Sequence, residues 1–213
     1  MGDASDVFSQ ITRKRGVSYP VLTPNLKGFQ SAAAVGVQEV AVFGAASQSF
    51  SKKNINATIE ESLQRFQEVM DAAQKQNIRV RGYVSCVLGC PYEGCSRCKL
   101  MKDMGCYEIS LGDTIGVGTP GSMALMSLDD VAVHCAGEYA TAVNRGVRVV
   151  DSAVAGLGGC PYADGASGNV SSEDVVYMLR EWLVKVGHFI SGAMKRSNNS
   201  RVLGLMDTNA CQL

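Results

Sequence analysis

A repeated alternation of short apolar runs with helix-like runs constrains the fold of this chain most strongly. The apolar runs are near-continuous, which is typical of parallel strands buried on both faces. A glycine stands between a helix-like run and the next strand at Gly36, Gly105 and Gly146, where it can take the left-handed conformation that ends a helix. Such junctions indicate βαβ units. The six predicted strands are Tyr19–Thr23, Glu39–Phe43, Val80–Val87, Cys106–Leu111, Val131–Cys135 and Val147–Ala153.

Two helices are predicted between these strands. Thr58 and Glu61, three positions apart, form a capping box, and apolar residues then recur at helical spacing as far as Gln76. Leu26–Ala34 is a second, shorter helix. Six strands fit either an open doubly wound sheet or most of an eight-stranded barrel. A barrel usually needs about 250 residues, so a barrel made from these 213 residues would be incomplete.

Composition excludes several classes of partner. Twenty basic residues balance twenty acidic ones, so no global field favours nucleic acid or an anionic membrane. No apolar run approaches the roughly 20 residues that span a bilayer. The first six residues contain two acids and no apolar segment, so they predict neither a secretory signal nor a mitochondrial presequence. Cys86, Cys106 and Cys135 lie in or beside apolar runs, where a thiol acts as a small hydrophobe, and this predicts a reducing compartment.

Polar residues follow the predicted strands, where reactive groups collect in both α/β architectures. Asp113 follows the fourth strand, His134 ends the fifth, and a glycine-rich loop with Cys160 and Asn169 follows the sixth. Nitrogen and oxygen donors of this kind suit Mg²⁺ or Mn²⁺ better than structural zinc. A thiol on a glycine-rich loop could donate a proton or act as a nucleophile.

Each of these residues also has a structural interpretation. A histidine that ends a strand is often a satisfied structural residue, Asp113 could cap the next helix, and a glycine-rich segment often forms a plain turn. Their convergence at strand ends favours a functional site, which we expect to gather at one mouth of the sheet.

The loop sequence and the blocks that precede it carry a specific resemblance. Residues 154–162 read VAGLGGCPY, and the segments 19–25, 42–47, 52–56, 81–94 and 105–116 come before them in a fixed order. Together these segments resemble the hydroxymethylglutaryl-CoA lyase family from about residue 17 to residue 178. The resemblance implies an incomplete TIM-type (β/α) barrel of about six parallel strands with the first two missing, as a single domain over residues 1–213.

The resemblance also implies an activity. The family cleaves 3-hydroxy-3-methylglutaryl-CoA to acetoacetate and acetyl-CoA, a retro-Claisen reaction of leucine catabolism and ketone-body formation. It implies a divalent cation, Mg²⁺ or Mn²⁺, a CoA-thioester substrate and a homodimer. The implied compartment is the mitochondrial matrix, with the cytosol or the peroxisome as alternatives.

Residue roles follow from the matched motifs. The resemblance implies that His134 is a metal ligand near the reacting hydroxyl and that Asn169 is an oxygen ligand to the same cation. Cys160 would close on the substrate and help with proton transfer, while Asp113 and Glu173 would support catalysis. The remaining implied site residue is the substrate-binding Asn54.

The chain also departs from the family pattern. The family has His-Cys-His after its seventh strand, whereas this chain reads His134-Cys135-Ala136, and an adjacent Arg-Asp pair of the first strand has no counterpart. Helical segments are shortened, one of them where Cys95 and Cys98 stand. With Cys86 and Cys90 these cysteines could form a zinc site, but Cys86 and Cys90 belong to family blocks that need no zinc. We therefore expect little or no turnover from this chain alone, and the alternative to a lyase is an impaired paralogue or fragment that binds CoA esters or pairs with an intact subunit.

Overall fold

The structure is a computed structural model that describes residues 3–90, 100–124, 131–134, 147, 149–160, 163, 168–182 and 211–212. In this part of the chain, strands pair in sequence order within one sheet. The first six strands form five parallel pairings, as predicted, and a two-residue strand near the end pairs antiparallel with the sixth. The strands are β1 (Val21–Leu22), β2 (Glu39–Ala45), β3 (Arg79–Ser85), β4 (Glu108–Gly112), β5 (Val131–His134), β6 (Val149–Val150) and β7 (Cys211–Gln212).

Both helices that the sequence predicts are present in the structure. Thr58 and Glu61 form the expected capping box, and Gly36 and Gly105 take the positive φ predicted for them, while Gly146 lies outside the described residues. No helix among the described residues is long and apolar enough to cross a membrane. The helices are α1 (Ala4–Gln10), α2 (Leu26–Ala34), α3 (Gln48–Ile55), α4 (Ile59–Lys75), α5 (Leu100–Asp103), α6 (Pro120–Ala124), α7 (Ser172–Trp182) and a 3₁₀ helix (Val154–Gly156).

The outer face of the sheet carries the main hydrophobic core. Alternate residues of a strand point to opposite faces, and Val80 and Val84 of β3 lie in one cluster with Phe66 and Val69 of α4. Gly82, between the two valines, leaves room for the side chains of Met101, Cys106 and Ile109. Short helices can therefore pack closely against the middle strands.

The inner face is polar, and contacts across it show that the sheet is curved. Arg81 of β3 lies 2.9 Å from Asp151, which directly follows β6. Neighbouring strands are about 4.8 Å apart, so in a flat sheet strands three positions apart would stand roughly 14 Å apart. The contact requires the sheet to curl around its polar face. A curved sheet of six parallel strands confirms the predicted α/β fold as a partial barrel.

Candidate functional site at the carboxyl ends of the strands

Hydrogen bonds join the loops that follow β3 and β4. The amide of Cys86 donates to Thr114 Oγ1 at 2.9 Å, and the amide of Val87 donates to the carbonyl of Gly112. Cys86 itself has a positive φ of 62°, so the chain turns sharply as it leaves β3. These bonds hold the two loops side by side at the carboxyl edge.

Cys160 packs into a small apolar cluster at this edge. Phe50, Cys86 and Ala163 form the buried part of the cluster, and Cys90, Ile115 and Cys160 are among the side chains that pack against it. Cys90 Sγ donates to Ser47 Oγ, the N-cap of α3, at 2.8 Å. The cluster thus joins segments that follow β2, β3, β4 and β6.

Two buried thiols, Cys86 at this edge and Cys106 in the outer core, have raised pKa values. Burial is the largest cause that raises the pKa of Cys86, to about 12, partly opposed by its hydrogen bond with Thr114. Burial also raises the pKa of Cys106, to about 11. The prediction that Cys86 and Cys106 serve as small hydrophobes is consistent with this, whereas Cys135 lies outside the described residues. Among the described residues, Cys86, Cys90, Cys106 and Cys160 form no disulfide.

Asp113 holds the loop after β4 in shape. Its side chain is buried, and its two carboxylate oxygens accept hydrogen bonds from the amides of Val117, at 3.2 Å, and Gly118, at 2.7 Å. Asp113 therefore caps its own loop and not a helix. The register places His134 beside Gly112 on the neighbouring strand, so the backbones of Asp113 and His134 lie at the same edge of the sheet.

Asn169 and Glu173 anchor the loop that carries Cys160. Asn169 Nδ2 donates to the carbonyl of Leu157 at 2.8 Å, and Glu173 Oε2 accepts from the amide of Ala155 at 2.8 Å. Ala155 has a positive φ of 54°, which an L residue rarely adopts, so the Glu173 bond stabilises an unfavourable turn.

Asn54 lies in the last turn of α3 and is partly buried. It stands four residues after Phe50, and this spacing puts two side chains on the same helix face. Since Phe50 contacts the cluster that contains Cys160, Asn54 occupies the helix face that turns toward the candidate site.

The donors of the described residues fit a divalent cation in part. No group of three His, Cys, Asp or Glu among them could hold a metal ion. Asn169 donates through its amide nitrogen, and the oxygen of the same amide has the chemistry of a ligand for a hard cation. His134 offers nitrogen at the end of β5. Magnesium typically retains several waters beside few protein ligands, so donors of these two kinds are compatible with Mg²⁺ or Mn²⁺. Cys95 and Cys98 of the alternative zinc cluster lie outside the described residues.

An ionic network on the inner face was not predicted. Arg81 pairs with Glu108 of β4 and with Asp151, and its Nη1 donates to Tyr83 Oη at 2.5 Å. Burial alone lowers the pKa of Arg81, but Asp151, Tyr83 and Glu108 outweigh it and raise the pKa above its ordinary value. For Glu108 burial dominates and raises the pKa of its carboxyl. The sequence does contain a signal for this network, since Arg81 and Asp151 each interrupt an otherwise apolar strand region.

A second polar cluster lies at the opposite, amino ends of the strands. Glu39 of β2 is buried and pairs with Arg79 of β3 at 2.6 Å. Tyr107 and Ser18 both donate to the carboxylate of Glu39, at 2.6 and 2.5 Å. The Arg79 side chain is 57% exposed and that of Arg81, two positions further along β3, is 1% exposed, so Arg79 is the more exposed counterpart of the buried Arg81.

The fold and the strand-end site define an α/β protein of the barrel type in which a loop thiol is held among the carboxyl ends of parallel strands. A model of the HMGL-like family matches residues 1–197, and the chain belongs to this family. It is similar to the mitochondrial hydroxymethylglutaryl-CoA lyase of Gallus gallus, with 54% identity over 95% of this chain and 78% of the relative. It is also similar to the cytoplasmic 3-hydroxy-3-methylglutaryl-CoA lyase of Mus musculus, with 53% identity over 95% and 68%.

Solved structures agree with the sequence comparisons. The structure of hydroxymethylglutaryl-CoA lyase from Pseudomonas aeruginosa aligns with a TM-score of 0.82 and 42% identity, over 96% of this chain and 77% of that one. An HMG-CoA lyase from Acinetobacter baumannii, in complex with coenzyme A and 3-methylmalate, aligns with a TM-score of 0.81 and 27% identity, over 95% and 79%. The family predicted from the sequence is therefore confirmed, and it is a family of carbon–carbon lyases.

Proposed function

We propose that this chain catalyses the reaction for which its relatives are named, the cleavage of 3-hydroxy-3-methylglutaryl-CoA to acetoacetate and acetyl-CoA. The observation that carries the proposal is the position of Cys160, packed among segments that follow four strands in a chain 54% identical to a lyase of this name. The substrate class is supported by the coenzyme A bound to the structural relative from Acinetobacter baumannii.

Cleavage of the substrate makes two demands on protons. The tertiary hydroxyl loses its proton as the neighbouring C–C bond breaks, which yields the ketone of acetoacetate and the enolate of acetyl-CoA. The enolate carbon then takes up a proton. We assign this donation to Cys160 Sγ, because general acid catalysis needs a donor that can approach the reacting carbon and the glycine-rich loop allows such an approach.

A divalent cation completes the proposed site, and members of the family in general depend on one. We propose that Asn169 and His134 hold it. When bound, such a cation polarises the substrate oxygens. Asp113 and Glu173 act on the loops and not on the substrate, since their carboxylates accept backbone amides of the loops after β4 and β6. Asn54 would contact the thioester from the side of α3.

The proposal is tested by the release of acetoacetate from purified chain and substrate, with Mg²⁺ or Mn²⁺ and after treatment with a chelator. Turnover is expected with either cation and not after chelation. Cys160→Ala should lower kcat by at least about 100-fold, the order of a lost general acid, whereas Cys106→Ala, which removes a buried thiol of the outer core, should leave kcat nearly unchanged. Equal activity of the two variants would contradict the role of Cys160.

One sequence observation favours a second candidate. Ala136 stands where the family has its second histidine ligand, so the chain could bind CoA esters with little turnover. Calorimetric binding of coenzyme A in the absence of acetoacetate release would support this candidate.

The relatives are named from both mitochondria and cytoplasm. We propose the mitochondrial matrix and a homodimer on grounds of the family, to be checked by fractionation and by light scattering.

A further inference from the structure

Arg81 is a charged side chain held inside the curved sheet. It is 1% exposed, and its nitrogens contact Asp151, Glu108 and Tyr83. Removal of an ion from water costs several kcal/mol even after relaxation, and a hydrophobic replacement of a buried ion pair is often as stable. A gain in stability is therefore a poor explanation for the presence of this ion pair, and its geometry offers a better one.

The geometry fixes the end of a very short strand. β6 has two residues, which pair with Ala132 and Val133 of β5. Asp151 follows β6 directly, and its Oδ2 accepts both from Arg81 Nη2 at 2.9 Å and from Ser110 Oγ at 2.5 Å. Side chains of β3 and β4 thus hold the point at which the chain leaves β6.

From Asp151 outward the chain is tied to the start of α7. Ser152 Oγ and Ser172 Oγ are 2.8 Å apart, and the amide of Ser172 donates to the carbonyl of Ala153 at 2.8 Å. The bonds from Glu173 and Asn169 to the loop continue the same ladder as far as Leu157. Residues 151–157 therefore form a continuous hydrogen-bonded support that ends three residues before Cys160.

We propose that Arg81 is a positioning residue, which acts through Asp151 to set where the loop 154–160 leaves the sheet and hence where Cys160 Sγ meets the substrate. The proposal rests on the proposed function for its effect on catalysis. Cys160 also packs against the cluster that contains Cys86, just beyond the end of β3. β3 is therefore linked to the Cys160 loop in two places, through Arg81 and through this cluster. A displacement of about 1 Å at a reacting group can cost on the order of 100-fold in rate.

The test compares Arg81→Gln, Arg81→Lys and Ser110→Ala with Arg79→Gln. The control removes a cation from the same strand, at the end remote from the site. Three measurements are made on each purified full chain. Mass spectrometry gives the rate at which iodoacetamide alkylates Cys160 and, as a monitor of the fold, the rate at which it alkylates Cys106. An assay of acetoacetate release gives kcat and KM. Alkylation does not require turnover, so failure of the proposed function and failure of this inference give different results.

Arg81→Gln is expected to change the Cys160 alkylation rate several-fold and to lower kcat by on the order of 100-fold, with KM little changed and Cys106 still protected. Arg81→Lys should recover part of both losses, since it keeps the charge but not the fork of donors. Arg79→Gln should leave the Cys160 rate and kcat unchanged. If Arg81→Gln does not fold, Ser110→Ala is the deciding variant, and an altered rate of Cys160 alkylation in it supports the proposal. The proposal is overturned if the rate of Cys160 alkylation is unchanged in a folded Arg81 variant. It is likewise overturned if Ser110→Ala is the deciding variant and the rate is unchanged there.

Discussion

Thiols in this fold differ in reactivity because burial, and not sequence context alone, sets the thiolate fraction. A thiol with a pKa near 11 or 12, such as Cys106 or Cys86, is almost wholly protonated at about pH 8. We expect iodoacetamide at this pH to alkylate Cys160 well before Cys86 and Cys106, because Cys160 is only partly buried. Peptide mass spectrometry over a time course measures the order, and denaturant should equalise the rates. Early alkylation of Cys86 in the native protein would contradict the burial argument.

Gly82 tests packing at the outer face of β3. A Cβ at this position would lie 3.0 Å from Ile109 Cδ1 and 3.2 Å from both Cys106 Sγ and Met101 Sδ. Gly82→Ala therefore overpacks the core and is expected to destabilise the chain by about 1–3 kcal/mol, seen as a lower midpoint in urea. Gly121→Ala is the matched control, because its nearest neighbour would be Thr119 Oγ1 at 3.7 Å. A loss of similar size in both variants would argue against overpacking.

Residue identities predicted part of the site, and the missing part has a physical cause. Polar groups at strand ends can be read from the chain, which is how Asp113, His134 and Cys160 were predicted. The pairing of Arg81 with Asp151 depends on the curvature of the sheet, which joins strands far apart in sequence order. The role of Asp113 as an acceptor for the amides of its own loop likewise depends on a local turn that no periodicity reports.

At the scale of elements, helix α4 follows its sequence signal closely. Thr58 Oγ1 accepts from the amide of Glu61 at 3.0 Å, and Glu61 Oε2 accepts from the amide of Thr58 at 2.8 Å. Thr58→Ala is expected to cost about 1 kcal/mol of unfolding free energy, measured by urea denaturation. Glu61→Gln keeps a capping side chain and should cost clearly less. Equal losses would mean that the carboxylate charge of Glu61 contributes about as much as the hydrogen bond to Thr58.

Strand boundaries were predicted less well than strand existence. The sixth strand was expected over Val147–Ala153, but its pairing is confined to Val149–Val150, because Asp151 turns to the inner face and Ala153 instead bridges to Ser171. The first strand is similarly shortened to Val21–Leu22. Apolar runs report burial, whereas strand ends depend on the hydrogen-bond partners that the next element offers.

At the scale of the whole molecule, the fold was predictable because it is built from local βαβ units in sequence order. Each parallel pairing joins consecutive strands of the chain, so the order of the sheet follows from the order of the runs. The antiparallel pairing of Cys211–Gln212 with β6 was not predicted, since two residues carry no periodicity.

The number of metal ligands is the property of the whole site that most directly controls turnover. The proposed cation has Asn169 and His134 as protein ligands, and Ala136 occupies the position of a further histidine in the family pattern. Ala136→His puts back the residue type that the family pattern has at this position. We expect the substitution to raise both the affinity for Mn²⁺ and kcat.

Loss of even an outer partner of a metal ligand typically costs about 10–100-fold in metal affinity, so a regained ligand should lower the Mn²⁺ concentration at half-saturation by at least about tenfold. Calorimetry with Mn²⁺ measures this without substrate, and acetoacetate release reports the effect on kcat. Ala136→Leu is the control, since it adds bulk without a ligand atom. If the His and Leu variants bind Mn²⁺ equally, position 136 does not belong to the cation site. If Ala136→His binds the cation more tightly without faster turnover, affinity for the metal does not limit the reaction. Proton transfer by Cys160, or the position of the loop that carries it, then becomes the next feature to test.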